Sequence, residues 1–257
     1  MIEFNQIVKK FNVGTPDEAT LFNGFNLKIE KGEFVSVVGS NGSGKTTLLN
    51  LLCGTLPLDG GKILVSGKDI TGQSEFTRAK RIGRVFQDPQ KGSAGNLTIL
   101  ENMALADNKN KRFSLTRAIN KKRIDYYKSL LEQCEMGLEN RIDVPVGSLS
   151  GGQRQALALV IANMSDIDIL ILDEHTAALD PKSSERIMVL TDKFVRENEV
   201  TALMVTHNLR FAVEYGTRLI MMDKGNIVMD KSGEEKKQTK IDDILKEFNQ
   251  ISIECGN

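Results

Sequence analysis

FVSVVGSNGSGKTTLLNLLCG, Phe34 to Gly54, changes character twice. Its first six residues form a short β-branched run that closes on a glycine, which predicts a buried strand. Its last residues, leucine-rich and followed by Gly54, predict a helix that stops there. Between them GSNGSGKT, Gly39 to Thr46, fits the pattern G-x-x-x-x-G-K-[ST]. A strand, a glycine loop and a helix in that order make a phosphate cradle. The glycines let backbone N–H groups turn inward around phosphate oxygens, and the helix aims its positive end at the same anion. Lys45 is then placed to reach the β- and γ-phosphates, and the Thr46 hydroxyl to take a position on Mg²⁺.

The pattern on either side extends this reading. IEFNQIVKKF and FNLKIEKGE alternate well enough for strands near the N-terminus, and GGKILVSGKDI carries another after a turn. RIGRVFQDP reads as a strand stopping at Pro89. From Leu97 to Met164 the pattern turns helical. ILILDE is a short apolar run and reads as a buried strand; PKSSERIMVLTDKFVRENE is a helix with proline in its first turn. TALMVTH, RLIMMD and GNIVMD supply three more strands, and KIDDILKEF sets Ile241, Ile244, Leu245 and Phe248 on one helical face. Strands alternating with helices predict an α/β core with a mostly parallel sheet. The helical middle reads as an inserted subdomain, about residues 91–164, within one domain whose core is 1–90 and 165–257.

Composition narrows the function classes. Lys plus Arg and Asp plus Glu number 34 each, so the formal charge is zero, and nothing points to a nucleic-acid partner. No apolar run approaches the roughly 18 residues of a membrane span, and the N-terminus has no apolar signal-peptide core. Cys53, Cys134 and Cys255 have no metal-ligand spacing, and free thiols in a reducing compartment are the expectation. A soluble cytosolic protein is expected, brought to any membrane by something else. Only nine residues follow Phe248, which leaves no room in this chain for an appended regulatory domain.

Two further motifs complement the cradle. The strand ILILD ends on Asp173, which can hold Mg²⁺ through a hydrogen bond or a water, and Glu174 follows where a carboxylate can orient an attacking water. LSGGQ, Leu149 to Gln153, opens a helix through QALALVIANM. Ser150 can cap it, and Gly151 and Gly152 expose backbone N–H groups to an anion. Two phosphate grippers about a hundred residues apart in one chain are most simply used by two chains that face each other.

GSNGSGKTT, the lone Gln87 after RVF, LSGGQRQALAL, ILILDE, AALD and the His207 after a strand resemble, in that order, the ABC ATPase family. The resemblance covers nearly the whole chain. It implies a P-loop NTPase core with a mostly parallel sheet, an N-terminal antiparallel β subdomain and an inserted α-helical subdomain. It implies ATP and Mg²⁺ as the bound groups. The nucleotide-binding set becomes Phe11, Gly39, Ser40, Asn41, Gly42, Ser43, Gly44, Lys45, Thr46, Thr47, Gln87, Ser150, Gly151, Gly152, Gln153 and Asp180. Thr46, Gln87 and Asp173 resemble the family's metal set, and Glu174, His207 and Lys45 its catalytic set. Phe11 stands where the family has an aromatic that stacks on adenine. Gln87 also resembles the glutamine that senses Mg²⁺ and the γ-phosphate while linking the core to the helical subdomain, and Asp180 resembles the aspartate that touches the partner's site. His207 resembles the switch histidine on the γ-phosphate. His175 stands where the wider family commonly has proline and reads as a loop-shape residue.

The segment from LSGGQ through LDEHTAALDPK, together with MVTHNLRFAVEYG and FQDPQKGSAGNLTILENMALA, looks like a narrower group of small bacterial importer ATPases. The implied partners are a second copy of the chain in an ATP-dependent dimer, an integral membrane permease and an extracytoplasmic substrate-binding protein. Some members of this group are associated with aromatic amino acids. The implied location is the cytoplasmic face of the cell membrane, by way of the permease. Phe86, Asp88 and residues 97–103 would lie near the groove that docks the permease. Lys109 to Arg123 reads as a solvated basic face, with a patch toward membrane or permease, and then a nucleic-acid contact, as the alternatives. An exporter subunit and a soluble ABC ATPase acting on nucleic acid or the ribosome are the rival readings.

Overall fold

The alternation at the N-terminus becomes an antiparallel sheet. Strands β1 (Ile2–Phe11) and β2 (Ala19–Ile29) pair with Phe4 opposite Leu27, so the inward residues Ile2, Phe4, Phe22 and Ile29 are all buried. The chain then runs through β3 (Phe34–Gly39), α1 (Lys45–Cys53), β4 (Gly60–Val65), β5 (Lys68–Asp69) and α2 (Glu75–Arg78). Next come β6 (Ile82–Val85), α3 (Ile99–Asn108), α4 (Ile124–Glu132), α5 (Gly151–Asn163), β7 (Ile169–Asp173) and α6 (Pro181–Glu197). It finishes with β8 (Thr201–Val205), α7 (Leu209–Glu214), β9 (Arg218–Asp223), β10 (Asn226–Ser232), α8 (Gly233–Gln238) and α9 (Ile241–Glu254). This computed structural model describes residues 1–109, 111 and 119–254, the last four by backbone alone. Cys255, and residues 110 and 112–118 of the basic stretch, lie outside the described residues.

The chain divides into two compact units, Met1–Ala79 with Glu199–Asn257, and Lys80–Asn198. The first unit holds the antiparallel sheet, ordered β2-β1-β4-β5, and the strands ordered β10-β9-β3-β8. β3 runs parallel to both β8 and β9, with Val37 beside Val205 and Ile220. All six β3 residues are buried, as expected of a strand covered on both faces. β10 returns antiparallel to β9. α9 packs through Ile244 and Phe248 onto Val38, Leu219 and Met221. Ile241 and Leu245, read on the same helical face, are 38 % and 44 % exposed; the helix seats only one edge of its apolar stripe.

The second unit holds β6 and β7, parallel with Val85 beside Leu172, and the helices α3 to α6. β6 ends at Val85, before the expected stop at Pro89, because Asp88 turns the chain by accepting the Gln90 N–H. Helix α3 starts on a capping box, Thr98 with Glu101. Asp107 near its end draws Lys111, Arg123 and the Tyr127 hydroxyl together. α6 begins at Pro181 under the cap of Asp180.

Arg78, at the end of α2, is buried in the first unit. Its guanidinium donates to the carbonyls of Leu51 at 2.7 Å, Leu52 at 3.1 Å, Thr71 at 2.8 Å and Gln73 at 3.1 Å. Two of those carbonyls belong to the last turn of α1, where a cation also suits the helix dipole. Burial pushes its pKa below the ordinary guanidinium value. Arg78 thus joins the Gly54 N–H and Thr55, which bond the Asn50 carbonyl, in holding the far end of the helix that begins at the phosphate loop.

Candidate active site

In the first unit β3 and β8 end side by side, so the loop from Gly39 and the turn carrying His207 leave the same edge. Ligands of open α/β sheets bind outside the carboxyl ends of such strands. Gly39 is a close approach: a Cβ there would lie 2.2 Å from the Met222 carbonyl oxygen. Gly44 is a second, at φ +106, where a Cβ would meet the Phe22 ring at 2.9 Å. The loop is therefore pressed against β9 and β2 by residues with no side chain, which leaves its backbone facing outward. Ser40 donates to Asp223 at 2.9 Å, and the Gly225 N–H donates to the Ser43 carbonyl at 3.0 Å. Lys45 is 5 % exposed, and its ammonium sits on the carbonyls of Gly39 and Ser40, 2.8 Å from each. Asn41, Gly42 and Thr46 are exposed, while Thr47 is half-buried. Glycines at the two closest approaches, a lysine folded over the loop and an exposed Thr46 fit a polyphosphate with its cation.

His207 is exposed, one residue beyond Thr206, whose hydroxyl accepts the Asn208 N–H at 3.0 Å. Asn208 in turn caps α7. The histidine thus stands on a short turn braced at both ends. Phe11 ends β1, half-buried, with the Lys9 ammonium 5.5 Å from its ring centre and Lys9 itself paired to Asp59.

In the second unit, β6 and β7 likewise end together. Gln87, two residues past β6, is exposed, and Asp173 and Glu174 lie at the end of β7. Arg84 donates to Asp173 Oδ2 at 2.6 Å, with both side chains mostly buried. The guanidinium also lies over the Phe86 ring at 4.8 Å. The ion pair takes Oδ2 of the Asp173 carboxylate. Glu174 has φ +49, left-handed for a residue with a Cβ. This turn of the backbone, rather than strand alternation, sets the direction of its carboxylate. Such strain costs about 1 kcal/mol and gathers at working sites.

LSGGQ opens α5 as expected. Ser150 Oγ accepts the Gln153 N–H at 3.3 Å, and Gln153 Oε1 accepts the Ser150 N–H at 3.3 Å. Gln153 also receives Arg141 and donates to the Met136 carbonyl, so its amide serves the cap as well as its expected nucleotide role. Ser150 and Gly151 are exposed; Gly152 is buried. Asp180 is exposed, and hydrogen bonds from Ser183 hold its carboxyl below the usual range.

The histidines separate by environment. His175 is buried, 2 % exposed, with Nε2 3.2 Å from Thr191 Oγ1. Desolvation pushes its pKa down to about 3, so it carries no charge at neutral pH. An unfolded chain takes a proton near 6.5. The fold therefore has its full stability above pH 6.5 and loses about 1.4 kcal/mol per pH unit as pH falls toward 3. From pH 7 to pH 5 the expected loss is about 2 kcal/mol in urea denaturation. His175→Gln should abolish that slope; a slope kept by the variant would assign the acid sensitivity to other groups.

A family model for the ABC transporter matches residues 22–177, three-fifths of the chain, from β2 through the turn after β7. The chain belongs to the ABC transporter family. This ABC ATPase is 42% identical over 248 residues to a tyrosine transport ATP-binding protein of Clostridioides difficile (strain R20291), covering 96% of this chain and 98% of that one. Its fold matches the ADP conformation of MJ1267, an ATP-binding cassette of an ABC transporter, with TM-score 0.80, 26% identity and coverage of 100% and 99%. It also matches a dimeric post-hydrolysis state of the ATP-binding cassette MJ0796 bound to ADP and Pi, with TM-score 0.77, 28% identity and coverage of 90% and 98%. It is thus an ATP-binding, ATP-hydrolysing transporter subunit. Among its described residues no helix is long and apolar enough to cross a membrane. Sequence reading missed Arg84 and Asp223. The signal for Arg84 was present, a single charge within the apolar strand IGRV. Asp223 showed none, because its partner Ser40 is 183 residues away.

Proposed function

We propose that this ABC ATPase is the nucleotide-binding subunit of an importer. Two copies close around two ATP molecules, open after hydrolysis, and so move an integral membrane permease at the cytoplasmic face of the membrane. An extracytoplasmic binding protein delivers the cargo, an aromatic amino acid of the tyrosine class. The observation that carries the reading is the similarity, along nearly the whole of both chains, to a tyrosine transport ATP-binding protein.

Within the site, Phe11 stacks on adenine, and Gly39 to Thr47 wrap the phosphates with Lys45 on the β- and γ-groups. Thr46, Gln87 and Asp173 would hold Mg²⁺, which when bound would withdraw charge from the phosphate oxygens. Glu174 orients the attacking water and takes its proton as the bond to the γ-phosphorus forms and the β–γ bridge bond breaks. His207 donates a hydrogen bond to the γ-phosphate. Ser150, Gly151, Gly152, Gln153 and Asp180 serve the partner copy's nucleotide. Residues 1–90 and 165–257 form the catalytic core in this reading, and about 91–164 the helical subdomain that meets the permease.

The test is co-purification of the tagged chain from native membranes in mild detergent. The expected result is a multi-span membrane protein in near-equal amount, whose reconstituted complex hydrolyses ATP faster when its binding protein is loaded with tyrosine. Recovery of ribosomes or nucleic acid instead would sink the transporter reading. A permease complex that exports tyrosine from vesicles would overturn the direction.

A further inference from the structure

We propose that His175 is a positioning residue for the catalytic turn: through its hydrogen bond to Thr191 it holds Glu174 and Asp180 in their working places. The inference rests on the roles proposed above for those two carboxylates.

The chain from Asp173 to Pro181 leaves β7 and returns as α6. It starts at the left-handed Glu174, whose carbonyl accepts the Ala177 N–H at 2.9 Å. The Leu179 N–H donates to the Thr176 carbonyl at 3.2 Å. Ser184, on the first turn of α6, donates to the Thr176 carbonyl at 3.1 Å. These bonds shape the turn, but they tie it only to the start of α6. His175 reaches much further along that helix, to Thr191. The Thr191 hydroxyl donates its hydrogen to the Ile187 carbonyl at 2.7 Å, so toward His175 it can only accept. The imidazole is therefore the donor, with its proton on Nε2. Both side chains are buried, where water cannot replace a lost partner.

The residues that this tie flanks are the ones the chemistry needs. Glu174 is the immediate neighbour of His175, at a backbone angle that relaxes unless its surroundings hold it. At the other end Ser183, beside Asp180, packs against Gly152 of the signature helix, where a Cβ would lie 2.9 Å from Ser183 Oγ. A loosened turn would free the carboxylate of Glu174 while leaving the phosphate loop, in the other unit, untouched. The expected signature is a lower kcat at unchanged KM.

His175→Leu removes the donor, Thr191→Val the acceptor, and His175→Gln keeps an N–H at the same reach. Steady-state ATP hydrolysis is measured for each, with Glu174→Gln in parallel. His175→Leu and Thr191→Val are each expected to lower kcat about tenfold with KM within about twofold, and their combination no further, as members of one interaction do. His175→Gln should recover most of kcat. Thr191→Val is nearly isosteric, so it reports even if His175→Leu folds poorly. Wild-type kcat in Thr191→Val, a kcat in His175→Gln as low as in His175→Leu, or additive losses in the double variant, would overturn the proposal. An active Glu174→Gln would instead overturn the assignment of Glu174, so the two failures are told apart.

Discussion

Glu174→Gln will lower ATP hydrolysis by about 10²–10⁴-fold, the usual contribution of a general base. The amide keeps the size and the hydrogen-bonding reach of the carboxylate, so ATP binding should stay within a few-fold of wild type. With ATP present the variant should accumulate as a dimer in light scattering, because in the proposed cycle closure needs nucleotide and reopening needs hydrolysis. Phosphate release at the wild-type rate would remove Glu174 from the mechanism. The φ of +49 adds a contrast. Glu174→Gly should be as inactive yet more stable by about 0.5–1 kcal/mol, since glycine takes the left-handed conformation without the Cβ penalty. Equal stability of the Gln and Gly variants would mean that the turn is not strained.

Arg78→Met will cost about 3–4 kcal/mol of folding stability, the range for breaking a buried network that a cation satisfies. Four carbonyls lose the guanidinium, and two of them end α1; of these Leu51 keeps the Gly54 N–H at 3.3 Å. Methionine fills most of the volume, so the loss reports polar satisfaction rather than a cavity. At about 2–4 °C per kcal/mol for a chain of this size, the melting temperature should fall by roughly 6–15 °C. Arg78→Lys should recover little, because one ammonium cannot span acceptors from α1 and from the loop at Thr71 and Gln73. A change below about 0.5 kcal/mol would mean that water reaches these carbonyls once the side chain is gone. The variant should also weaken ATP binding, since the helix held at its far end begins at Lys45.

The motifs were legible because each is local. GSNGSGKT, LSGGQ and ILILDE carry their chemistry within eight residues or fewer, and the loop, cap and strand they imply form from neighbours in sequence. β3 was readable for the same reason, its six residues being apolar or small on both faces. In α9 the periodicity marked an apolar stripe, but not how much of it a partner covers.

From the sequence alone came the α/β core, the phosphate-loop motif and the expectation that Asp173, Glu174 and His207, rather than His175, do the chemistry. Only the tertiary structure decided what surrounds them. Arg84 meets Asp173 across 89 residues, Ser40 meets Asp223 across 183, and Arg78 caps a helix 26 residues behind it. It also decided why His175 is silent: the imidazole is buried and tied to a helix that sequence shows only as polar and apolar letters. The physical reason is common to all four. A loop or cap is set by hydrogen bonds between near neighbours, whereas burial and pairing of a charge depend on which distant strand or helix packs against it.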